Sequence, residues 1–303
     1  MKISVLIAAY EAAPFISSAL ASVQRQTHHD WEIVVVEDGS HDGTEAIVRA
    51  FGASVRQPVL YENFRWNCGV AAARNRLMEL ATGEACAFLD ADDTWTPEHL
   101  ADAERHLAAG ADIVVSDVDT IELKTGRGLG TTAVPRQLEF APVSTLFAQS
   151  AIVTSSSVAI GRWFAGGVGR FDNSLRVGED RDFWLRCAVA GARFAPTGRV
   201  TCRYSKHAGS AMSRTLSVAE QNVRFYEKHQ RLGQVPAEER RRALAEALQT
   251  HARLSRAGDA RGSLSLLRSA WKLSPRPAVI LHMLRSLVSL AWRPAKAGAR
   301  RQS

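Results

Sequence analysis

The chain has 303 residues, 46% of them hydrophobic, and a formal net charge of +7. That length is long for one domain and short for two full ones, and the apolar fraction is that of a soluble globular protein. No stretch reaches the roughly eighteen apolar residues needed to cross a bilayer, and the 4 cysteines form no C-x-x-C pair, which argues against structural zinc and a disulfide framework and for a reducing cytoplasm.

Lys2 and the apolar run at residues 3–10 mimic a short signal peptide, but Glu11 and Pro14 interrupt it. Residues 33–36 continue the strand pattern, so residues 3–9 are expected to form the first core strand. Residues 14–26 carry helical spacing through Phe15, Ala19, Leu20 and Val23. A second strand is expected at 31–36, then Asp38-Gly39-Ser40 and a helix from about Asp42. A weaker strand at 54–59, a helix at 69–81, a strand at 85–89, a helix at 97–109 and a strand at 112–116 complete the series. This alternation implies parallel strands with helices on both faces. Residues 126–132 read as a glycine- and threonine-rich loop, and the chain beyond is less regular. After residue 217 only helical stretches follow, near 218–231, 236–256, 260–273 and 277–291.

Charge shifts at the same place. Residues 214–303 hold 18 Lys and Arg against 6 Asp and Glu, a balance of +12, whereas 1–213 hold 20 against 25, a balance of −5. Two domains are therefore expected, 1–213 and 214–303. Such asymmetry marks an interaction surface. The tail has neither interleaved aromatics nor a nucleic-acid reading motif, so an anionic membrane or acceptor is the expected partner and nucleic acid is not.

The richest stretch is Phe88-Leu89-Asp90-Ala91-Asp92-Asp93. An apolar strand leads straight into three carboxylates, at the edge where open α/β sheets place ligands. Clustered carboxylates repel one another unless a cation neutralises them, and all-oxygen donors favour Mg²⁺ or Mn²⁺, which usually also hold a substrate phosphate. The bland alternative is an acidic helix start, with Asp93 or Thr94 capping a helix opened by Thr96-Pro97-Glu98. Neither G-x-G-x-x-G nor a P-loop follows the first strand, so any nucleotide must be held by side chains.

Further segments join this one: Ser4-Val5-Leu6-Ile7-Ala8-Ala9-Tyr10, Val34-Val35-Val36-Glu37-Asp38-Gly39-Ser40, Asn67-Cys68-Gly69 with Ala73-Arg74-Asn75, and Gly178-Glu179-Asp180-Arg181-Asp182-Phe183-Trp184-Leu185-Arg186, then His207-Ala208-Gly209-Ser210. In this order they resemble the family 2 inverting glycosyltransferases over roughly residues 2–213, a combination far more specific than any one motif. The family often has Pro-Thr-Tyr-Asn where this chain has Ala8-Ala9-Tyr10-Glu11, a departure that touches the base contacts near Tyr10.

The resemblance implies a GT-A fold, an α/β architecture with a Rossmann-like, mostly parallel sheet and helices on both faces. The all-helical C-terminal extension lies outside it. It implies metal-dependent, inverting transfer of a sugar from a nucleotide sugar, expected to be a UDP-sugar. The acceptor would be a hydroxyl of a bacterial surface glycan, polysaccharide or lipid-linked oligosaccharide. Contacts to the donor are implied for Ala9, Tyr10, Glu11, Asp38, Asn67, Gly69, Arg74, Asp90 and Ala91, with Asp38 at the base, Arg74 near the nucleotide or its phosphates, and Asp90 near the ribose or just outside the metal's own ligands. Asp92 is the implied metal ligand and His207 completes the metal or diphosphate site, with Mg²⁺ or Mn²⁺ as cofactor. Asp93 would share the metal or cap the next helix, and Ser210 would donate to phosphate. Asp180 matches the general base, and Glu179 would orient it or bind the acceptor. Asp182 and Arg186, four apart, are expected to pair on one helix face. Trp31, Trp66, Trp95 and Trp184 are expected to pack rather than platform a sugar.

Two rivals remain at this stage. A sugar nucleotidyltransferase would need a glycine-rich loop with a basic residue after the first strand, and Ala9-Tyr10-Glu11 offers none. A non-catalytic binding protein derived from a transferase would have no need of the full carboxylate set, and donor hydrolysis separates the two. In the tail, residues 252–275 faintly resemble one tetratricopeptide unit, which buries its apolar face poorly alone, so docking on the catalytic domain is expected. The strongly apolar stretch 278–292, punctuated by Arg285 and flanked by Arg276, Arg293 and Lys296, suits an interfacial helix on anionic lipid or a core helix closing the domain.

Overall fold

The computed structural model describes residues 1–207 and 215–291. The chain divides into two compact units, Met1–Ser210 and Ala211–Ser303. The first begins with β1 (Ile3–Ala9), α1 (Ile16–Gln24), β2 (Trp31–Glu37), α2 (Thr44–Ser54), β3 (Val59–Asn63), α3 (Val70–Leu80) and β4 (Ala85–Phe88). It continues with β5 (Thr94–Trp95), α4 (His99–Ala108), β6 (Ile113–Glu122), β7 (Gly128–Thr132), α5 (Gln137–Phe140) and α6 (Pro142–Ala148). It ends with β8 (Val158–Gly161), α7 (Arg162–Val168), α8 (Glu179–Val189) and β9 (Phe194–Lys206). The second unit holds α9 (Thr215–Lys228), α10 (Ala237–Ser255), α11 (Ala260–Leu273) and α12 (Pro277–Ala291).

One sheet organises the first unit, in the order β3-β2-β1-β4-β8-β6-β9-β5, with β7 paired to β6. β1, β2, β3 and β4 are parallel, and the apolar runs of β1, β2 and β4 are buried, β2 along its whole length, while β3 is only partly buried. Helical layers covering a parallel sheet demand such continuous apolar strands. β2 lies on one side of β1 and β4 on the other, so the chain order reverses between β1 and β4, which opens a crevice at their carboxyl ends. Tyr10 and Asp90 follow those two strands. The fold is GT-A, with an all-helical C-terminal region.

Several sequence expectations need correction. The sheet is mixed: β8 runs antiparallel to β4 and to β6, and β5 antiparallel to β9. The strand expected at 54–59 starts instead at Val59, because α2 continues to Ser54. It is an edge strand whose Val59 and Tyr61 alone reach the core, a weak apolar signal. Residues 126–132 are not simply a loop, since Gly128–Thr132 form β7 against β6. Every residue of β7 is exposed, so its pairing is a backbone affair without an apolar alternation. The strand expected at 112–116 runs on to Glu122, and β8 and β9 were not foreseen.

The four helices of the second unit fall where the spacing predicts them. They bury their own cluster, including Leu244, Leu248, Ala252, Leu267, Ala270 and Val279. Small side chains mark the close approach of α11 and α12, where Ser263 Oγ lies 3.0 Å from Ser286 Oγ. Ser263 also donates to the Ala252 carbonyl at 2.7 Å. Among the described residues, no helix is long and apolar enough to cross a membrane.

Glu32 ties the start of the sheet together. Buried on β2, it accepts from Lys2 Nζ and Ser4 Oγ at 2.6 Å, from the Thr82 N–H at 2.6 Å and from Thr82 Oγ1 at 2.7 Å. Burial alone would raise its pKa; the Lys2 ion pair and the other donors outweigh it and hold the carboxyl at about 2, below the ordinary 4.5. Because the folded value is depressed, this stabilisation is complete above 4.5 and is lost as pH falls toward 2. Glu32→Gln is expected to cost on the order of 2–3 kcal/mol near neutral pH and much less at about pH 3. Urea unfolding of both proteins at the two pH values measures this, and an equal gap at both would assign the loss to packing rather than charge.

Candidate active site

The crevice begins at Asp38, the residue after β2. Its two carboxylate oxygens accept from the Cys68 N–H at 2.7 Å and the Gly69 N–H at 2.9 Å. Burial raises its pKa, and the two N–H groups only partly offset that. The contacts fold residues 66–69 over Gly39, where a Cβ would meet the Trp66 carbonyl carbon at 2.3 Å and φ is +77°, so only glycine fits. Asn67 in this loop is exposed, and Trp66 is 63% exposed. The packing expected of all four tryptophans therefore holds for Trp31, Trp95 and Trp184, which are buried, and not for Trp66.

On the facing side, Ser40 Oγ donates to Glu37 and accepts from the Glu11 N–H at 2.9 Å. Glu37 also accepts from the Tyr61 hydroxyl. This bracing holds Glu11 at φ 48°, a left-handed conformation rare outside glycine. Ala9 is buried at the strand end, its carbonyl accepting from the Asp38 N–H at 2.7 Å, and Tyr10 stands half-exposed beyond it.

Arg74, buried on α3, joins the two acidic clusters. Its guanidinium donates to Asp90 Oδ1 at 2.8 Å and to Glu179 Oε1 at 2.6 Å, with the Phe171 ring 5.8 Å away. Both of its Nη groups thus donate to protein carboxylates. Glu179 is correspondingly a partner of Arg74. Burial, then the adjacent Asp180 charge, push the Glu179 carboxyl up to about 7 against the pull of Arg74.

Gly178, at φ +81°, turns the chain into α8, so Glu179 and Asp180 open an eleven-residue helix whose amino end favours negative charge. Asp180 is only partly buried and accepts from the Arg181 N–H at 2.7 Å. Arg181 anchors this turn by donating to the Leu146 and Phe147 carbonyls at 3.0 and 2.6 Å. Asp182 and Arg186 pair at 2.9 Å, as their spacing predicts.

In the Asp90–Asp93 cluster the residues separate sharply. Asp90 accepts from Thr154 Oγ1 at 3.3 Å, and its N–H donates to Ser156 Oγ at 2.9 Å. Ala91 is buried in the sheet's core cluster. Asp92 Oδ2 lies 2.9 Å from His207 Nε2, and the His207 ring lies 5.2 Å from that of Phe15. Burial, then repulsion from Asp90, raise the Asp92 pKa, while His207 lowers it. Asp93 is fully buried and accepts from Ser156 Oγ at 2.6 Å and from the Ser205 N–H at 2.8 Å. Burial and then Asp90 and Asp92 raise its pKa well above the carboxylate range. It caps no helix, since α4 starts without a side-chain cap, and it points into protein rather than toward a ligand. Ser210 lies outside the described residues.

Asp92 and His207 are the protein groups suited to a divalent ion. Among the described residues no group of three or more His, Cys, Asp or Glu is arranged to hold one alone. That donor set fits Mg²⁺ or Mn²⁺ held jointly with a diphosphate and water, since such ions commonly take one or two protein carboxylates plus substrate phosphates.

Sequence reasoning missed the supports: Thr154 and Ser156 beneath the acidic cluster, and Asn75. The Asn75 side chain accepts from the Phe171 N–H at 2.8 Å and donates to the Phe171 carbonyl at 3.0 Å, clamping the segment that leads to Glu179. The run Thr154-Ser155-Ser156-Ser157 was the available signal.

The family model for glycosyl transferase family 2 matches residues 4–163. A glycosyltransferase of Nostoc, alr2836, is 43% identical over 100 residues, which are 33% of this chain and 31% of that one. YwdF of Bacillus subtilis is 29% identical over 240 residues, covering 78% of this chain and 87% of its own. The succinoglycan biosynthesis protein ExoO of Rhizobium meliloti is 33% identical over 204 residues, 64% of this chain and 57% of its length. Matches thus span from about a third to most of these relatives' lengths. Among solved structures, S. aureus TarS 1–349 in complex with UDP-GlcNAc superposes with a TM-score of 0.71 at 18% identity, over 95% of this chain and 89% of that one. The family match over the stretch that carries Asp38, Arg74 and the Asp90–Asp93 cluster makes this chain a member of glycosyl transferase family 2, and a glycosyltransferase.

Proposed function

We propose that the enzyme transfers a sugar, with inversion, from a UDP-sugar to a hydroxyl acceptor in bacterial glycan assembly, with a divalent metal as cofactor. The observation that carries this reading is Arg74, which brings Asp90 at the end of the parallel sheet and Glu179 beside Asp180 onto one guanidinium. Donor-side and acceptor-side carboxylates then line one crevice. Relatives support the setting: ExoO is a succinoglycan biosynthesis protein, and TarS was solved with UDP-GlcNAc. The acceptor is a polysaccharide or lipid-linked oligosaccharide, met from the cytoplasm, a compartment suited to the four free thiols.

The donor's uracil sits beside Asp38, framed by Ala9, Tyr10, Glu11 and the Asn67–Gly69 loop. Asp90 and Ala91 approach the ribose. Asp92 and His207 hold Mg²⁺ or Mn²⁺, which when bound offsets the charge on the departing diphosphate. Asp180, the more open carboxylate at the start of α8, takes the proton of the acceptor hydroxyl as that oxygen attacks the anomeric carbon from the face opposite the leaving group. Glu179 keeps Arg74 in place, and Arg74 keeps Asp90 in place. An α-linked donor then yields a β-linked product.

A screen of UDP-sugars with glycan and lipid-linked acceptors, read by UDP release and by the anomeric configuration of the product, tests the reading. Retention of configuration, or no release with any donor, overturns it. Chelator is expected to abolish turnover, with Mg²⁺ or Mn²⁺ restoring it, and Asp92→Ala to abolish it irrecoverably. Full turnover in excess chelator removes the metal from the scheme.

Asp180→Asn is expected to bind donor normally by calorimetry while turnover drops by about 10² to 10⁴, the usual worth of a positioned base. The amide keeps the shape and loses the proton affinity. Normal turnover in Asp180→Asn beside a dead Glu179→Gln would move the base by one residue.

A further inference from the structure

α12 is apolar on two sides. Val279 and Ser286 face the unit's interior and are fully buried, with Met283 packed against the same cluster. Ile280, Leu281, Leu284, Leu287 and Val288 form a second stripe at helical spacing and are between 45% and 61% exposed. Five large aliphatic side chains left bare on one helix face form a patch, not scattered surface residues.

Basic residues outnumber acids around α12, where Glu246 is already paired with Arg276 at 2.8 Å. Arg285 is exposed and borders that stripe on α12; on the other flank of the helix, burial and then the charges of Arg256, Arg285 and Arg253 lower the His282 pKa. None of the three has an ion-pair partner among the described residues. The sequence after Ala291 adds Arg293, Lys296, Arg300 and Arg301 and no acidic residue.

The geometry points to this face of α12 as a docking surface for an anionic lipid bilayer, with the helix lying in the interface and the arginines on headgroup phosphates. Three arguments select lipid over other occupants. A helix of 15 residues spans about 22 Å, too short for the hydrocarbon core, and its opposite face is already packed, so it lies on a membrane and does not cross it. A second copy pairing through the same face would bring Arg285, one residue from the helix midpoint, against its own counterpart. The exposed, unpaired Arg285 bordering bare aliphatics, with Arg253 and Arg256 on the helix's other flank, matches a surface that offers acyl chains and phosphates together.

Flotation of the full chain with vesicles, without donor or acceptor, tests this apart from any chemistry. The wild type is expected to float with phosphatidylcholine vesicles containing phosphatidylglycerol at low salt, to release at high salt, and to ignore pure phosphatidylcholine. L284E/V288E is expected to stay unbound while keeping wild-type helical content by circular dichroism and wild-type donor hydrolysis. R253Q/R256Q/R285Q is expected to lose about a hundredfold in partitioning, from about fivefold per arginine. Equal binding to neutral vesicles, or binding untouched by L284E/V288E, overturns the proposal. So does an absence of vesicle binding, and a concentration-dependent dimer that L284E/V288E breaks would reassign the face to a second copy. Because donor hydrolysis is read separately, these outcomes leave the catalytic reading where it stands.

Discussion

Everything in the crevice depends on one buried cation. Arg74 comes from α3, yet its two ion pairs reach the end of β4 and the start of α8, segments more than a hundred residues apart in the case of Glu179. A guanidinium suits this task because its planar fork offers two donor edges in fixed directions and it stays charged when desolvated. Asp90 and Glu179 in turn make its burial affordable. Removing either would leave a buried charge half-compensated, a loss of about 3–5 kcal/mol in comparable pairs. The geometry of two acidic clusters is therefore set by a residue that belongs to neither.

Within each cluster, neighbouring carboxylates divide the work. Asp93 is fully buried under Ser156 and the Ser205 N–H, a strut between the β4 loop and β9. Asp92 beside it keeps contact with solvent and with His207. Glu179 is buried on Arg74, whereas Asp180 is the more open of its pair. In both clusters the structural acid, Asp93 or Glu179, has its pKa raised by burial, because it holds its place in a low-dielectric setting. The more open neighbour, Asp92 or Asp180, keeps contact with solvent.

The same contrast explains what could be read from residues alone. β1, β2 and β4 were legible because strands covered on both faces must be continuous apolar runs, and the acids that follow them mark the ligand edge. β7 was not, since five exposed residues paired through backbone alone carry no periodicity. The reversal at β8 was invisible for another reason: Val158–Gly161 is an apolar run of four, and run length says nothing about strand direction. At the site, motif positions located the acids but not their partners. That Arg74 would face Glu179, or Asp93 face Ser156, depends on long-range folding that no local pattern encodes.

The second unit marks a different limit. Its four helices match their expected spans because turns at Pro236, Asp259 and Pro277 punctuate strong helical spacing. Yet residues 277–291 posed a choice between core helix and interfacial helix, and periodicity was unable to decide it. Val279, Met283 and Ser286 recur at one helical spacing and Ile280, Leu284, Leu287 and Val288 at another, so the two stripes overlap into a nearly uniform apolar run. The structure shows that the helix carries both a buried and an exposed apolar stripe. One stripe closes the unit's core and the other is left to solvent. The +12 balance of the tail and the bare stripe of its last helix thus lie in the same unit, and residue spacing alone separates neither from the core that the helix closes.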